Sequence, residues 1–117
     1  MESPVEEFIR AAIRGRVNQA RYLGWYSQAT LGAFCNDVAL VVARRFLDRE
    51  MTFDDADAVA NEFYALYIGQ PIEIPEPADS IYLAIDRGEF AIDGEDPIEE
   101  HTRPLLREIV ESLSANN

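Results

Sequence analysis

The segment from Trp25 to Arg49 reads WYSQATLGAFCNDVALVVARRFLDR, in which Asp37 is the only charged residue before Arg44. Its apolar side chains recur at the three- and four-residue spacing of a helix. These positions are Leu31, Phe34, Cys35, Val38, Val41, Val42 and Phe46. Because a helix with so few charges is stable mainly when other apolar elements surround it, we expect this segment to be the central and most buried helix.

The residues before this segment predict one further helix. Ser3, Pro4 and Glu6 form a capping box with proline at the first helical position, where its missing N–H costs nothing. An apolar stripe follows at helical spacing: Val5, Phe8, Ile9, Ala12, Ile13, Val17 and Ala20. Gly24 is expected to end this helix, so residues 1–50 are predicted to hold two N-terminal helices.

A third helix is predicted over residues 51–69. Thr52 supplies an N-cap, and Asp54 and Asp55 are acids of the kind that the positive end of a helix favours. Gly69 is expected to end this helix. The next residues, 70–78, are rich in proline, and with no partner strand in the sequence they are predicted to form an ordered connection rather than a strand.

Two C-terminal helices are predicted over residues 79–113. The first ends at Gly88, and the second begins after Asp96, which is followed by proline as at many helix starts. Pro104 lies inside the second helix, so we expect a kink or a restart between Glu100 and Arg103.

Together these segments predict an all-α fold. The chain has 117 residues, 48% of them hydrophobic, which suffices for a core that needs no disulfide or metal. We therefore expect residues 1–117 to form one domain, a single compact bundle of four to five helices. Since no secretory signal or membrane-spanning stretch is visible, we expect a cytoplasmic, bacterial protein.

Charge is distributed unevenly along the chain. Residues 1–47 hold six arginines and four acids, whereas residues 48–117 hold four arginines and eighteen acids. The net charge of -12 argues against a nucleic acid or an anionic membrane as the partner and favours a basic protein. The absence of lysine also excludes Schiff-base chemistry and a Walker-type phosphate loop.

No residue pattern indicates catalysis, a metal or a cofactor. His101 is the only histidine, and its neighbours lack the i, i+4 ligand spacing of zinc helices. Cys35 is the only cysteine and lies in an apolar helix, where a thiol behaves as a small hydrophobe. Asp54, Asp55 and Asp57 could bind a cation, but their place at a helix N-terminus explains them. We predict that the chain is not an enzyme and has no catalytic residue.

The segment from Asp86 to Glu100 is the most acidic part of the sequence, with seven acids and one arginine. Phe90 and Ile92 lie among these acids. A solvated loop is one interpretation, and apolar anchors within an acidic rim, which suit a basic partner, are the other. The candidate partner-binding residues are Asp86, Glu89, Phe90, Asp93, Glu95 and Asp96.

Three aromatic residues, Tyr22, Trp25 and Tyr26, cluster where the first two predicted helices meet. Packing of that corner is the favoured interpretation. The alternative is a surface for self-association, which would make the protein a homodimer of unknown role.

The segments Arg45–Phe53 and Phe63–Tyr67, followed by Ser80–Asp86 and the helix Leu106–Leu113, resemble small colicin-like bacterial immunity proteins. The resemblance covers about residues 44–113 and leaves residues 1–43 as an N-terminal extension. It implies a compact helical bundle that binds a cytotoxic nuclease and blocks its basic substrate site. The hypothesis is therefore a non-enzymatic protein-binding domain, an immunity or antitoxin-type inhibitor of a basic partner.

Overall fold

The computed structural model describes residues 2–90 and 93–115, which contain six α-helices, one π-helical turn and no strand. The α-helices are α1 (Pro4–Ile13), α2 (Gln19–Trp25), α3 (Gln28–Leu47), α4 (Phe53–Ala65), α5 (Ala78–Arg87) and α6 (Arg103–Ala115), and the π turn (Ile98–Thr102) runs directly into α6. The all-α prediction is confirmed. The predicted count of four to five helices is wrong, because there are six in the described ranges.

The centre of the fold is α3, as its apolar sequence predicts. Eight of its residues are buried: Leu31, Phe34, Cys35, Val38, Ala39, Val42, Ala43 and Phe46. Helices α1, α4, α5 and α6 all pack against it, and they follow one another around it because α4 contacts both α1 and α5, and α5 contacts α6. This arrangement places α5 between α4 and α6.

The predicted first helix is in fact two helices. Gly15 adopts a φ of +68°, and the Arg16 N–H donates to the Ala11 carbonyl at 2.8 Å, which closes the end of α1. Asn18 then starts α2, its side-chain oxygen accepting the Arg21 N–H at 3.3 Å. The prediction of one helix up to Gly24 is wrong because a left-handed glycine and an Asn cap outweigh an apolar stripe that continues through them.

The predicted starts of two helices are confirmed. Ser3 accepts the Glu6 N–H at 3.1 Å, and Thr52 accepts the Asp55 N–H at 3.2 Å. The third predicted helix begins where expected but ends as α4 at Ala65, before a turn, rather than near residue 69. Leu66 and Tyr67 in that turn are nevertheless buried, as an inward-facing stripe requires.

The proline-rich connection after α4 is ordered and contains no strand, as predicted. Ile72 and Ile74 are half-buried against the core. The side-chain oxygen of Asn36 on α3 accepts the Ala78 N–H at 3.0 Å, which satisfies a backbone donor at the start of α5. Asn36 therefore fixes where α5 begins relative to the central helix.

The disturbance expected near Pro104 takes the form of the π turn. The Arg103 N–H donates to the carbonyl of Ile98, five residues earlier, and α6 follows without a break. Proline and π turns are both places where helices bend. The π turn overlaps the predicted range from Glu100 to Thr102, and the chain stays helical through Pro104.

The aromatic residues at the α2–α3 junction pack the corner of the fold. The Tyr22 ring is buried, lies edge-on to Phe8 at 5.0 Å between centroids, and stacks on Phe34 at 5.6 Å. Trp25 is 49% exposed and lies beneath the Arg21 guanidinium at 4.5 Å. Because Tyr22 is buried, it is not available as the dimer contact considered from the sequence.

Candidate functional site

Helix α5 separates two surface features. On the side facing α4 it carries Tyr82 and Asp86, and on the side facing α6 it carries Leu83 and Arg87. Its inward face, formed by Ala78, Ile81, Ala84 and Ile85, is buried in the core. The exposed face of α5 therefore lies between an acidic aromatic surface and an apolar groove, and we call this face the exposed ridge of α5.

The acidic surface is built from three carboxylates, of which two lie on helices and the third comes just after α5. Asp57 lies on α4 and Asp86 on α5, while Glu89 comes just after α5. Hydrogen bonding to Asp57, together with partial burial, raises the pKa of Glu89. Burial, with a smaller effect from Glu89, raises the pKa of Asp86. The charge of Asp57 raises the pKa of Glu89 as well, and the charge of Glu89 raises that of Asp86, so these carboxylates are close enough to oppose each other's ionisation.

Two tyrosines lie beside these carboxylates. The rings of Tyr64 on α4 and Tyr82 on α5 stack with centroids 4.1 Å apart and planes inclined by 13°. Burial raises the pKa of Tyr82, and the charge of Asp86 adds to this. We name the surface formed by Asp57, Tyr64, Tyr82, Asp86 and Glu89 the carboxylate–tyrosine patch. Carboxylates and aromatic faces both attract cations.

Three of the six arginines in residues 1–47 form internal ion pairs. Arg10 binds Glu2 at 2.8 Å, and Arg21 binds Glu7 at 2.8 Å. A third pair joins Arg45 to Glu6. Within residues 2–90 and 93–115, no ion pair involves a carboxylate of the patch. The carboxylates of the patch therefore have no cation paired to them in these ranges.

The six residues predicted from the sequence fall into two groups. Asp86 and Glu89 belong to the patch, and Phe90, which directly follows Glu89, is 59% exposed. The other three, Asp93, Glu95 and Asp96, are exposed in the loop before the π turn. Ile92 lies outside the described residues.

Two of the loop acids have local structural roles. Glu95 lies 3.2 Å from the His101 imidazole nitrogen, and Asp96 accepts the Glu99 N–H at 3.3 Å, as its predicted capping role requires. Only Asp93 has no such bond among the described residues. The loop acids are thus partly committed to holding the loop against the π turn.

The side chains of Glu95, Glu100 and His101 converge, with one ligand atom of each within 4.8 Å of the others. The sequence spacing did not predict this group, because Glu95 reaches His101 from outside the π turn. Both glutamates are exposed, and exposed acids often lie this close without an ion. The contact that the geometry supports is the pairing of Glu95 with His101, which ties the loop to the π turn.

The second feature is an apolar groove of about 710 Å³ between α5 and α6. Its wall includes Leu83, which is 55% exposed, and Leu105, which is 41% exposed. The full lining is Glu76, Pro77, Ser80, Leu83, Ala84, Arg87, Leu105, Glu108, Ile109, Ser112 and Leu113. Leu105 is one of the apolar residues that recur at helical spacing in the last helix, and the structure leaves it on the groove wall rather than in the core.

Sequence reasoning missed Asp57, Tyr64 and Tyr82 as members of the site. Asp57 was attributed to the N-terminus of its helix, Tyr82 to the apolar pattern of its helix, and Tyr64 only to the segment Phe63–Tyr67 that carries the family resemblance. The contact between α4 and α5 brings them together with Asp86, and these helices are separated in sequence by the proline-rich connection. No spacing rule within one element could have indicated that juxtaposition.

The buried thiol shows no sign of reactivity. Cys35 is fully buried, and that burial raises its pKa to about 12. The hydroxyl of Tyr67, which faces it, is buried without a hydrogen-bond partner of normal geometry among the described residues. A neutral thiol in a dry core is a poor nucleophile, in agreement with the interpretation of Cys35 as a core residue.

Comparisons with protein-family models, with curated proteins and with solved structures found no match for this chain. Among residues 2–90 and 93–115, none of the helices combines the length and the apolar character needed to cross a bilayer.

Proposed function

We propose that the chain is a non-enzymatic protein-binding domain that captures a basic partner at the carboxylate–tyrosine patch and the acidic loop that follows it. The observation that supports this proposal is the convergence of Asp57, Asp86 and Glu89 with no arginine paired to them in the described part of the chain. Like charges held together are unfavourable, and a cationic group from a partner would relieve that repulsion.

The stacked tyrosines suit the same partner. The exposed face of an aromatic pair accepts an arginine or lysine at about 6 Å or less from the ring centroid, with a favourable energy of about 0.5–2 kcal/mol. Tyr64 is 36% exposed, so its ring is accessible at the surface, and Phe90 offers a further apolar contact along the chain. Tyrosine is one of the residue types enriched among those that dominate protein interfaces.

An inhibitor of the immunity or antitoxin type is the most specific form of this proposal. A basic substrate site on a toxin would be covered by an acidic surface that takes the place of the substrate's own charge, and the unbalanced field of residues 48–117 would accelerate encounter. The chain needs no catalytic residue for such a role.

The experiment is affinity capture on the immobilised protein, with a matched pair of variants. Lysate of the source organism is passed over wild type, over Asp57→Asn/Asp86→Asn/Glu89→Gln, and over Glu50→Gln/Glu73→Gln/Glu111→Gln. The two variants change the charge equally, and the control sites are exposed acids outside the patch.

We expect the wild-type and control columns to retain one basic protein, which salt then releases. The patch-variant column is expected to retain at least about tenfold less of this protein. Equal retention on all three columns would show that total charge, not the patch, holds the protein. Retention of scattered cationic proteins would mean that the acids serve solubility.

A further inference from the structure

We infer that the α5–α6 groove binds an amphipathic helix of the partner. This helix carries an apolar stripe with basic residues along one border of the stripe. This inference rests on the proposed function, because it assigns a binding element to the same basic partner. The groove and the carboxylate–tyrosine patch lie on opposite sides of the exposed ridge of α5. One partner can therefore engage both surfaces.

The shape of the groove fits a helix. Leu105, Ile109 and Leu113 follow one another at four-residue intervals along α6, and Leu83 faces them from α5. Eight residues of a helix span about 12 Å, so this wall matches about two turns of a partner helix. Two helices with an apolar furrow between them are completed by a third helix laid into it, which is how amphipathic segments are recognised.

Charges at the rim specify the helix further. Glu108 lies on the α6 wall, Arg87 is the last residue of α5, and Glu76 lies two residues before α5, where it accepts hydrogen bonds from Ser80. Within the described part of the chain, neither Glu108 nor Arg87 forms an ion pair. A matching helix therefore carries arginine or lysine beside its apolar stripe, facing Glu108 and Glu76, and an acidic residue at the end that meets Arg87.

The charge of the chain also argues against a second copy as the occupant. Each copy has a net charge of -12, so self-association would add two strongly negative fields. An acyl chain is less suitable because the groove is open along its length, whereas small ligands are held in pockets that bury most of their surface.

The test uses a fluorescein-labelled synthetic peptide of about four helical turns. It has leucines at i, i+4, i+7 and i+11, arginines along one border of that stripe, and a glutamate at one end. A second peptide of identical composition has its leucines distributed around the helix. Binding is measured by fluorescence anisotropy with wild type, Leu83→Ser, Leu105→Ser and the control Ile68→Ser, which replaces an apolar side chain that is 71% exposed outside the groove.

The striped peptide is expected to bind wild type and Ile68→Ser with the same affinity. It is expected to bind Leu83→Ser and Leu105→Ser at least about tenfold more weakly, because each of these changes removes most of a leucine contact. The rearranged peptide is expected to bind at least about tenfold more weakly than the striped one. Equal binding by the groove variants, equal binding of the two peptides, or no binding of the striped peptide below about 1 mM would each overturn the inference.

Two further measurements, sedimentation and palmitate binding, test whether the groove holds a second copy of the chain or an acyl chain instead. If sedimentation shows a wild-type dimer that Leu83→Ser dissociates, the groove is a self-association surface and the inference is overturned. Saturable binding of palmitate, lost in Leu83→Ser and unaccompanied by peptide binding, would assign the groove to an acyl chain.

The patch variant separates this inference from the proposed function. Asp57→Asn/Asp86→Asn/Glu89→Gln is expected to bind the striped peptide within about threefold of wild type, because these residues do not line the groove. Failure of the capture experiment with intact peptide binding would then refute the patch alone. Intact capture with no peptide binding would refute the groove alone.

Discussion

The rings of Tyr64 and Tyr82 stack between α4 and α5 with their centroids 4.1 Å apart. The rotation of α5 about its own axis is set by its buried residues, chiefly Ile81 and Ile85, and it places Tyr82 in this stack and Asp86 beside Glu89. The same rotation turns Leu83 toward α6 and opens the groove there. Both proposed binding surfaces thus depend on the same orientation of α5.

Tyr64→Ala is expected to lower the free energy of unfolding by about 1–2 kcal/mol, because it removes an aromatic pair and part of the covered surface of Tyr82. Tyr64→Phe keeps the ring and should stay within about 0.5 kcal/mol of wild type. Urea unfolding monitored by circular dichroism measures both. A Tyr64→Phe loss as large as that of Tyr64→Ala would show that the hydroxyl, not the stack, is responsible.

Glu89→Gln is expected to raise the melting temperature at neutral pH. A carboxyl whose pKa is raised on folding binds more protons in the folded than in the unfolded state, so its contribution destabilises the fold as pH rises above the ordinary value of 4.5. Below about pH 4 both states are protonated, and the advantage of Gln should disappear.

The measurement is the difference in melting temperature between Glu89→Gln and wild type from about pH 3 to pH 7. Glu111→Gln, at an exposed acid on α6, is the matched control. A difference that is constant with pH, or that grows as the pH falls, would refute the interaction of Glu89 with Asp57 and Asp86.

Gly88→Ala is expected to destabilise the fold by about 1–3 kcal/mol through overpacking. A Cβ at this position would lie 2.5 Å from the Thr102 hydroxyl oxygen and 2.7 Å from Cε2 of Phe53. Gly24→Ala is the control, because nothing lies within 4 Å of a Cβ there and the residue is inside α2. Chemical denaturation should show Gly24→Ala unchanged or stabilised, by up to about 1 kcal/mol. Equal stability of the two variants would refute the close approach at Gly88.

Arg103→Ala is expected to cost about 1.5–3 kcal/mol. Its guanidinium lies 4.4 Å from the centroid of the Phe46 ring, donates to the Phe46 carbonyl at 3.2 Å and binds Glu99 at 2.8 Å. The exposed Arg107 provides the matched variant, and Arg107→Ala should change the unfolding free energy by less than about 0.5 kcal/mol. Similar losses for the two arginines would contradict a specific role of Arg103 in joining α6 to α3.

Local signals in the sequence predicted much of the fold. The apolar residues of α3, the caps at Ser3, Thr52 and Asp96, and the end of α5 at Gly88 each depend on neighbouring residues, and each is found where expected. The break at Gly15 is also local, but the apolar stripe on both sides of it concealed the change of direction.

The site was less predictable because it depends on contacts between helices. The sequence identified Asp86 and Glu89 from charge alone, yet the partner carboxylate Asp57 comes from α4. Leu105 and Leu106 both belong to the apolar pattern of α6. Leu106 is buried, whereas Leu105 lies on the groove wall, and the difference depends on where α5 packs. Periodicity shows which residues share a face of a helix, and it does not show how far a neighbouring helix covers that face.

The most direct test of the account is the dissociation constant of the captured basic protein for wild type, the patch variant and the charge-matched control, each measured at low and at physiological salt. Asp57→Asn/Asp86→Asn/Glu89→Gln is expected to bind at least about tenfold more weakly than Glu50→Gln/Glu73→Gln/Glu111→Gln, with an affinity that depends less on salt. Equal dissociation constants for the two variants at both salt concentrations would contradict the claim that the carboxylate–tyrosine patch binds the partner.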